Sequence, residues 1–243
     1  MFTPSGPTFR ELAVQALSST ERGYDLLAPK FDETPFRTPG PLLDGVVDGL
    51  RPFGPFAAGL DVCCGTGAGV GVLRELCRER VTGVDFSAGM LAEGRRSLPD
   101  LPDGPAVSWV RADARALPFA GEFDVAVSFG AFGHFLPGER PALFAQVHKA
   151  LRPGGLFAFP VPHPPRVTSW LYWALWGFDG AMRVRNLLWR PPFVMYYRTF
   201  RLSQVLAELE GAGFSVRLRP VKELGRLEDG SPRCRLVLAE RRR

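Results

Sequence analysis

The 243-residue chain predicts an α/β fold: a seven-stranded, mainly parallel sheet with helices on both faces, an antiparallel closing strand and one long aromatic insertion. Three observations carry that prediction. Short apolar runs alternate with helix-length stretches, the order that lays parallel strands beside crossover helices. The first such run enters the glycine-rich turn of Leu60–Gly71, LDVCCGTGAGVG, with a helix pattern behind it. The second, VTGVDF from Val81, ends in Asp85, about 20 residues beyond those glycines.

Taken in order, the start MFTPSGPTFRE reads as a loose arm without a basic, apolar leader pattern. Phe9–Leu27 has helical spacing, with Leu12, Ala13, Ala16 and Leu17 on one face. Pro39–Val47 begins a further helix whose apolar face is Leu42, Leu43, Val46 and Val47, and Arg51–Ala58 is a proline- and glycine-rich connector. Strands are expected near Gly59–Cys64, Val81–Asp85, Val107–Arg111, Phe123–Ser128, Leu156–Val161, Phe214–Arg219 and Arg235–Glu240. Helices are expected near Gly69–Arg80, Ser87–Ser97, Glu139–Leu151 and Ser203–Ala212, with Pro118, Pro153 and Gly154–Gly155 in loops. Residues 1–58 thus form an N-terminal helical arm and 59–243 the core, interrupted by an insertion at 162–202.

Composition narrows the function classes. No run of about 18 apolar residues exists, so no membrane-spanning helix is expected. Cys63, Cys64, Cys77 and Cys234 lack zinc spacing; reduced thiols and a cytoplasmic setting are expected, with no metal site. The formal charge is +5, but residues from Arg183 onward carry 14 Lys/Arg against 6 Asp/Glu, a net +8, leaving −3 for the rest. Such a basic quarter suits an anionic acceptor, a nucleic acid, or a solvated face.

The glycines at 65, 67, 69 and 71 let bare backbone N–H groups approach a ligand. Their GxGxG spacing puts Val70 where a dinucleotide dehydrogenase has its third small residue, which argues against a nicotinamide cofactor. With this turn stand VTGVDFSAGML, VRADARALPF, FDVAVSFGAFGHF and LRPGG, in that order over roughly residues 57–160. Together they make the chain resemble the class I S-adenosylmethionine (SAM)-dependent methyltransferases, a Rossmann-like fold. The texture is closest to ubiquinone/menaquinone-biosynthesis-like members, which also resemble YDLLAPKFD upstream. Cys63 departs from the glycine or alanine more usual there.

The resemblance implies roles. SAM carries an activated methyl, so the protein must align donor and acceptor and exclude water. Gly65, Gly67 and Gly69 are expected at the methionine end and Asp85 on the ribose. Phe86 and Met90 belong against the adenine, and Asp113 with the Ala114 N–H at its edge. Asp61 organises the glycine turn, Tyr24 and Phe31 belong to a cover over the cofactor, and Phe129 begins the segment that faces the methyl. Imidazole titrates near working pH, so His134 and His163 are the candidate bases; His148 is expected at the surface.

Pro162–Leu202 is far longer than an ordinary connection and holds Trp170, Trp173, Trp176, Trp189, Tyr172, Tyr196 and Tyr197. Trp170–Phe178 is apolar nearly all round and must be covered by protein, substrate or a membrane surface. A roof over the substrate is expected, with Trp170, Trp173, Trp176, Tyr196 and Tyr197 touching the acceptor; a membrane patch or a dimer contact is the alternative. The function expected is O- or C-methylation of a small or lipid-like aromatic acceptor. An RNA methyltransferase lacks support because SFGAFGHF stands where an Asn/Asp-Pro-Pro-aromatic motif is usual. A non-catalytic SAM-binding module is disfavoured because the glycines occur with both Asp85 and Asp113.

Overall fold

The computed structural model describes residues 6–242, so residues 1–5 of the expected loose arm lie outside the described residues. Helices α1 (Phe9–Leu17), α2 (Thr20–Leu27) and α3 (Gly40–Leu50) precede the sheet. The single helix expected over Phe9–Leu27 is two. Ser18 leaves the helical region and the Ser19 side chain caps α2 by accepting the Arg22 N–H, as serine does best at a helix start.

Strand β1 (Phe56–Val62) leads through the glycine turn into α4 (Ala68–Leu76), β2 (Cys77–Asp85), α5 (Ala88–Ser97) and β3 (Ala106–Arg111). Then come β4 (Phe123–Val127), α6 (Arg140–Ala150), β5 (Leu151–Pro162), α7 (Trp170–Leu188), α8 (Leu202–Gly211), β6 (Phe214–Pro220) and β7 (Cys234–Arg241). The helix expected to Arg80 stops at Leu76, and CRER joins the strand that follows. The LRPGG breakers, expected in a loop, bulge out of β5 instead. Leu151 pairs with Phe123 and Leu156 with Val125, so the four residues between them stand against the single Asp124.

The sheet order is β3-β2-β1-β4-β5-β7-β6, with β7 antiparallel to both its neighbours and the other pairs parallel. The order reverses between β1 and β4, and ligands of such sheets bind at the strand ends beside that switch. Val46, Val47 and Leu50 of α3, Val72 and Leu73 of α4 and Leu91 of α5 cover one face. Leu143, Phe144 and Val147 of α6 and Val205 and Leu209 of α8 cover the other. Burial on both faces explains the nearly unbroken apolar runs of β1 and β4.

One ion pair fastens the second layer. Arg140, 1% exposed, donates from Nε and Nη2 to the two carboxylate oxygens of Glu208, each at 2.8 Å, and from Nη1 to the Thr199 carbonyl. Arg140→Ala strands Glu208 without its partner and should destabilise the fold by about 3–5 kcal/mol. Arg140→Met with Glu208→Leu should recover most of that loss in urea melts. A single variant as stable as the parent would refute it.

Candidate active site

Behind β1 the chain turns through left-handed backbone at Cys63 (φ 59°), Gly65 (52°) and Gly67 (96°). A residue with a Cβ rarely adopts that region, so Cys63 is held there at a cost that Gly65 and Gly67 avoid. The turn packs tightly against Asp61. A Cβ added at Gly69 would lie 2.5 Å from the Asp61 carboxylate. Asp61 is 1% exposed, and neither oxygen completes a hydrogen bond of normal geometry. The amides of Gly69 and Val70 favour its charged form, but burial dominates and pushes the carboxyl well above its usual range.

Asp85, buried at the end of β2, accepts the Gly65 N–H on one oxygen and the Ser87 N–H on the other, both at 2.9 Å. Burial outweighs these bonds and raises its pKa. The arm before the sheet is fastened here too. Asp25 Oδ1 accepts from the Ser87 hydroxyl at 2.6 Å and from the Gly89 N–H at 2.9 Å, and Asp32 accepts from the Thr66 hydroxyl at 2.9 Å.

Between arm, glycine turn and strand ends lies a cavity of about 750 Å³, a size that suits a small ligand or cofactor. Tyr24, Asp61, Gly65, Gly67, Gly69, Asp85, Phe86, Met90, Phe129, His134 and Tyr197 all line it. Phe31, Phe36, Leu42, Leu43, Phe132, Met195 and Phe200 make the rest of its wall largely apolar. The Tyr24 hydroxyl lies 2.8 Å from His134 Nε2, and His134 Nδ1 lies 2.7 Å from the Val194 carbonyl. A carbonyl only accepts, so Nδ1 bears the proton and Nε2 accepts the tyrosine O–H. Burial lowers the pKa of His134 and raises that of Tyr24, so both are neutral at neutral pH.

Residues 60–155 match the family model described as a methyltransferase domain. This stretch is similar to the methyltransferase domains of SAM-dependent enzymes. Its similarity to the demethylmenaquinone methyltransferase of Beutenbergia cavernae is 38% identity over 49% of this chain and 45% of the relative. The phthiotriol/phenolphthiotriol dimycocerosates methyltransferase of Mycobacterium leprae is 39% identical over 46% and 40%. Among solved structures, the magnesium protoporphyrin IX methyltransferase of Synechocystis with bound SAH shares the fold. It has a TM-score of 0.57 and 19% identity, covering 82% of this chain and 81% of that one. The chain spans about half or less of the length of the curated relatives it matches.

The residues of the methyltransferase domain fit SAM. Gly65 leaves room for a ligand, since a Cβ there would meet nothing within 4 Å while its N–H is already held by Asp85, and the buried oxygens of Asp61 lack donors that a ligand ammonium would supply. Other sequence candidates sit elsewhere. Asp113 is paired with Arg115, whose Nε and Nη2 reach its two oxygens at 3.0 and 2.7 Å and hold its pKa down; neither it nor Ala114 lines the cavity. His163 turns Nδ1 to the Pro164 carbonyl at 2.8 Å, away from the cavity, because its own N–H is tied to Arg233 across β7. Tyr196 is buried against Met182 and Phe193, its hydroxyl accepting from Asn186. Trp170 and Trp173 face solvent and Trp176 lines a separate cleft, so the tryptophan part of the expected roof does not lie on this cavity, whereas Met195, Tyr197 and Phe200 of the same insertion do line it. His148, expected at the surface, is half-buried edge-on against Phe214.

Sequence reasoning missed Asp25, Asp32, Thr66 and Val194. Only YDLLAPKFD hinted at the first two; a carbonyl that fixes a histidine tautomer leaves no mark in sequence. Two glycine substitutions separate crowding from mere backbone change. Gly69→Ala should displace Asp61, cost about 1–3 kcal/mol of stability and weaken SAM binding. Gly71→Ala, where a Cβ meets nothing within 4 Å inside α4, should be neutral or stabilise by up to about 1 kcal/mol. Equal melting temperatures for the two variants would contradict this account.

Proposed function

We propose that the protein is a SAM-dependent methyltransferase that methylates an oxygen or carbon acid of an apolar, ring-bearing or lipid-like small molecule. The observation that carries this reading is a neutral Tyr24–His134 pair set in the wall of a largely apolar cavity. Arg37 is the one cationic residue among its lining, which suits an acceptor with little net charge. Menaquinone and mycocerosate-lipid methyltransferases among the relatives support the same acceptor class. Four unpaired cysteines suit a reducing, cytoplasmic setting.

In this reading SAM supplies an electrophilic methyl group on sulfur. The glycine turn takes the methionine end, with Asp61 toward its ammonium and Asp85 toward the ribose hydroxyls. Each Asp85 oxygen receives one backbone N–H and has a lone pair left for a hydroxyl. Phe86 and Met90 lie along the adenine, and an adenine amine would share the Asp113 carboxylate with Arg115. The segment from α2 to Asp32 acts as a cover pinned by Asp25 and Asp32, whereas α3 packs on the sheet and β1 already begins at Phe56. The acceptor proton passes to the Tyr24 oxygen while the tyrosine proton passes to His134 Nε2, and the resulting imidazolium keeps Nδ1–H on the Val194 carbonyl. The acceptor oxygen or carbon takes the methyl as its own proton leaves, so no charge accumulates on the acceptor and the single positive charge ends on His134, whose Nδ1–H stays bonded to the Val194 carbonyl.

Four outcomes test this. Labelled SAM incubated with quinone and phenol extracts should yield products heavier by one methyl. Tyr24→Phe and His134→Gln should each lower kcat by roughly 10²-fold or more with SAM affinity little changed. A base must be neutral to act, and burial lowers the His134 pKa below 6.5. The wild-type rate should therefore fall only on the acid side of that value and be flat above it. Full activity in both variants would remove the proton relay and leave alignment alone. Calorimetry of Asp85→Ala should show SAM binding weakened by about 2–3 kcal/mol; unchanged affinity would remove Asp85 from the ribose.

A further inference from the structure

Helix α7 buries only Asp179 and Met182. Its inward side runs through Tyr172, Leu175, Asp179, Met182 and Asn186 at helical spacing. The opposite side is the one a helix on a protein surface normally fills with charge. Here that stripe reads Trp170, Trp173, Ala174, Gly177, Ala181, Val184 and Leu188, with no charged residue. Trp170 is 79% exposed and Leu188 78%, and Leu187 and Trp189 extend the apolar surface. No helix among the described residues is long and apolar enough to cross a membrane.

The charge around the stripe has one sign. Residues 163–201 hold six arginines and a single acid, Asp179, which is buried and accepts the backbone N–H groups of Tyr197 and Arg198. Arg183, Arg190, Arg198 and Arg201 form no salt bridge among the described residues. Three of them, Arg183, Arg198 and Arg201, line a cleft of about 260 Å³ beside Trp176; Asp179 lines it too, its carboxylate already taken by the backbone N–H groups of Tyr197 and Arg198. We propose that α7 lies flat on an anionic phospholipid surface, its tryptophan stripe at the acyl boundary and this arginine cleft on a lipid phosphate. Tryptophan favours that boundary because its ring is apolar and its N–H polar, and an amphipathic helix with arginines on its flanks lies in the interface plane. Self-association through the same face would set arginine-rich segments against each other, a like-charge contact that a bilayer of anionic lipids replaces with attraction. The inference goes beyond the methylation reading, and its readout needs no turnover.

The test uses the full chain with vesicles of phosphatidylcholine alone and of phosphatidylcholine mixed with phosphatidylglycerol. Sedimentation with the mixed vesicles, weakened by salt, is expected, along with a blue shift of tryptophan emission and its quenching by brominated lipid. Trp170→Glu with Leu188→Glu should reduce binding at least about tenfold. Arg183→Ala with Arg201→Ala should reduce it about tenfold or more on the mixed vesicles only. Both pairs are exposed, so melting curves should match the parent; if the glutamate pair fails to fold, the arginine pair and the quenching decide. No binding to the mixed vesicles overturns the proposal. So does a dimer in light scattering that the glutamate pair converts to monomer while the parent ignores vesicles.

Discussion

The carboxylate of Asp85 accepts the N–H of Gly65 from the first strand-to-helix turn and that of Ser87 from the second. This is possible because β1 and β2 run level: Val62 pairs with Val84, and the Cys64 N–H then continues onto the Val84 carbonyl. A carboxylate moved out of water loses several kcal/mol of solvation unless donors replace it. Two backbone N–H groups do so here without adding a positive side chain to the pocket. The two turns are thereby held at a fixed separation, and the left-handed glycines at 65 and 67 are confined to one of the paths open to them. Asp61 then fits beneath Gly69 because no Cβ intervenes.

The segment before the sheet depends on the same frame. Ser87, already placed by Asp85, gives its hydroxyl to Asp25, and Asp25 also takes the Gly89 N–H at the start of α5, where a helix favours negative charge. Thr66, inside the glycine turn, gives its hydroxyl to Asp32. The exposed Arg111–Glu21 pair adds little by comparison. Each hydrogen bond to a carboxylate contributes about 1.5–3 kcal/mol net. A hold of that size defines the cavity wall, yet breaking a few bonds releases it. Tyr24 rides on α2 within this segment, so its contact with His134 exists only while the segment is docked.

Much of the sheet was legible because a parallel strand buried on both faces leaves an apolar run that ends at a glycine or an acid. The Leu60–Gly71 and Val81–Asp85 stretches carry that signal, and most of the sequence candidates, Phe31 among them, do line the cavity. The failures have local causes. Arg115, two residues beyond Asp113, folds back on its carboxylate, and nothing in VRADARALPF separates a ligand contact from such a pairing. His163 and the tryptophans were placed by their nearness in sequence to the end of β5. The β5–β7 pairing instead continues to His163, whose N–H meets the Arg233 carbonyl, and α7 turns its tryptophans outward. Aromatic content announced that the insertion mattered but not which face it presented. That depends on the inward Asp179 and Asn186, polar residues that look like surface residues in sequence.

Those two polar residues also connect the outside of α7 to the cavity. Asn186 accepts the Phe193 N–H and donates to the Phe193 carbonyl, while Asp179 takes the N–H groups of Tyr197 and Arg198. The stretch clamped between them supplies Val194, whose carbonyl fixes the His134 tautomer, and Met195 and Tyr197, which line the cavity. Buried amide and carboxylate bonds of this kind are costly to break and leave few alternative partners. The helix and the 193–198 strip therefore move as one body or not at all. Whatever fixes the outward stripe of α7 also fixes the carbonyl behind His134, so the exposed face and the tyrosine–histidine pair are two ends of one rigid connection.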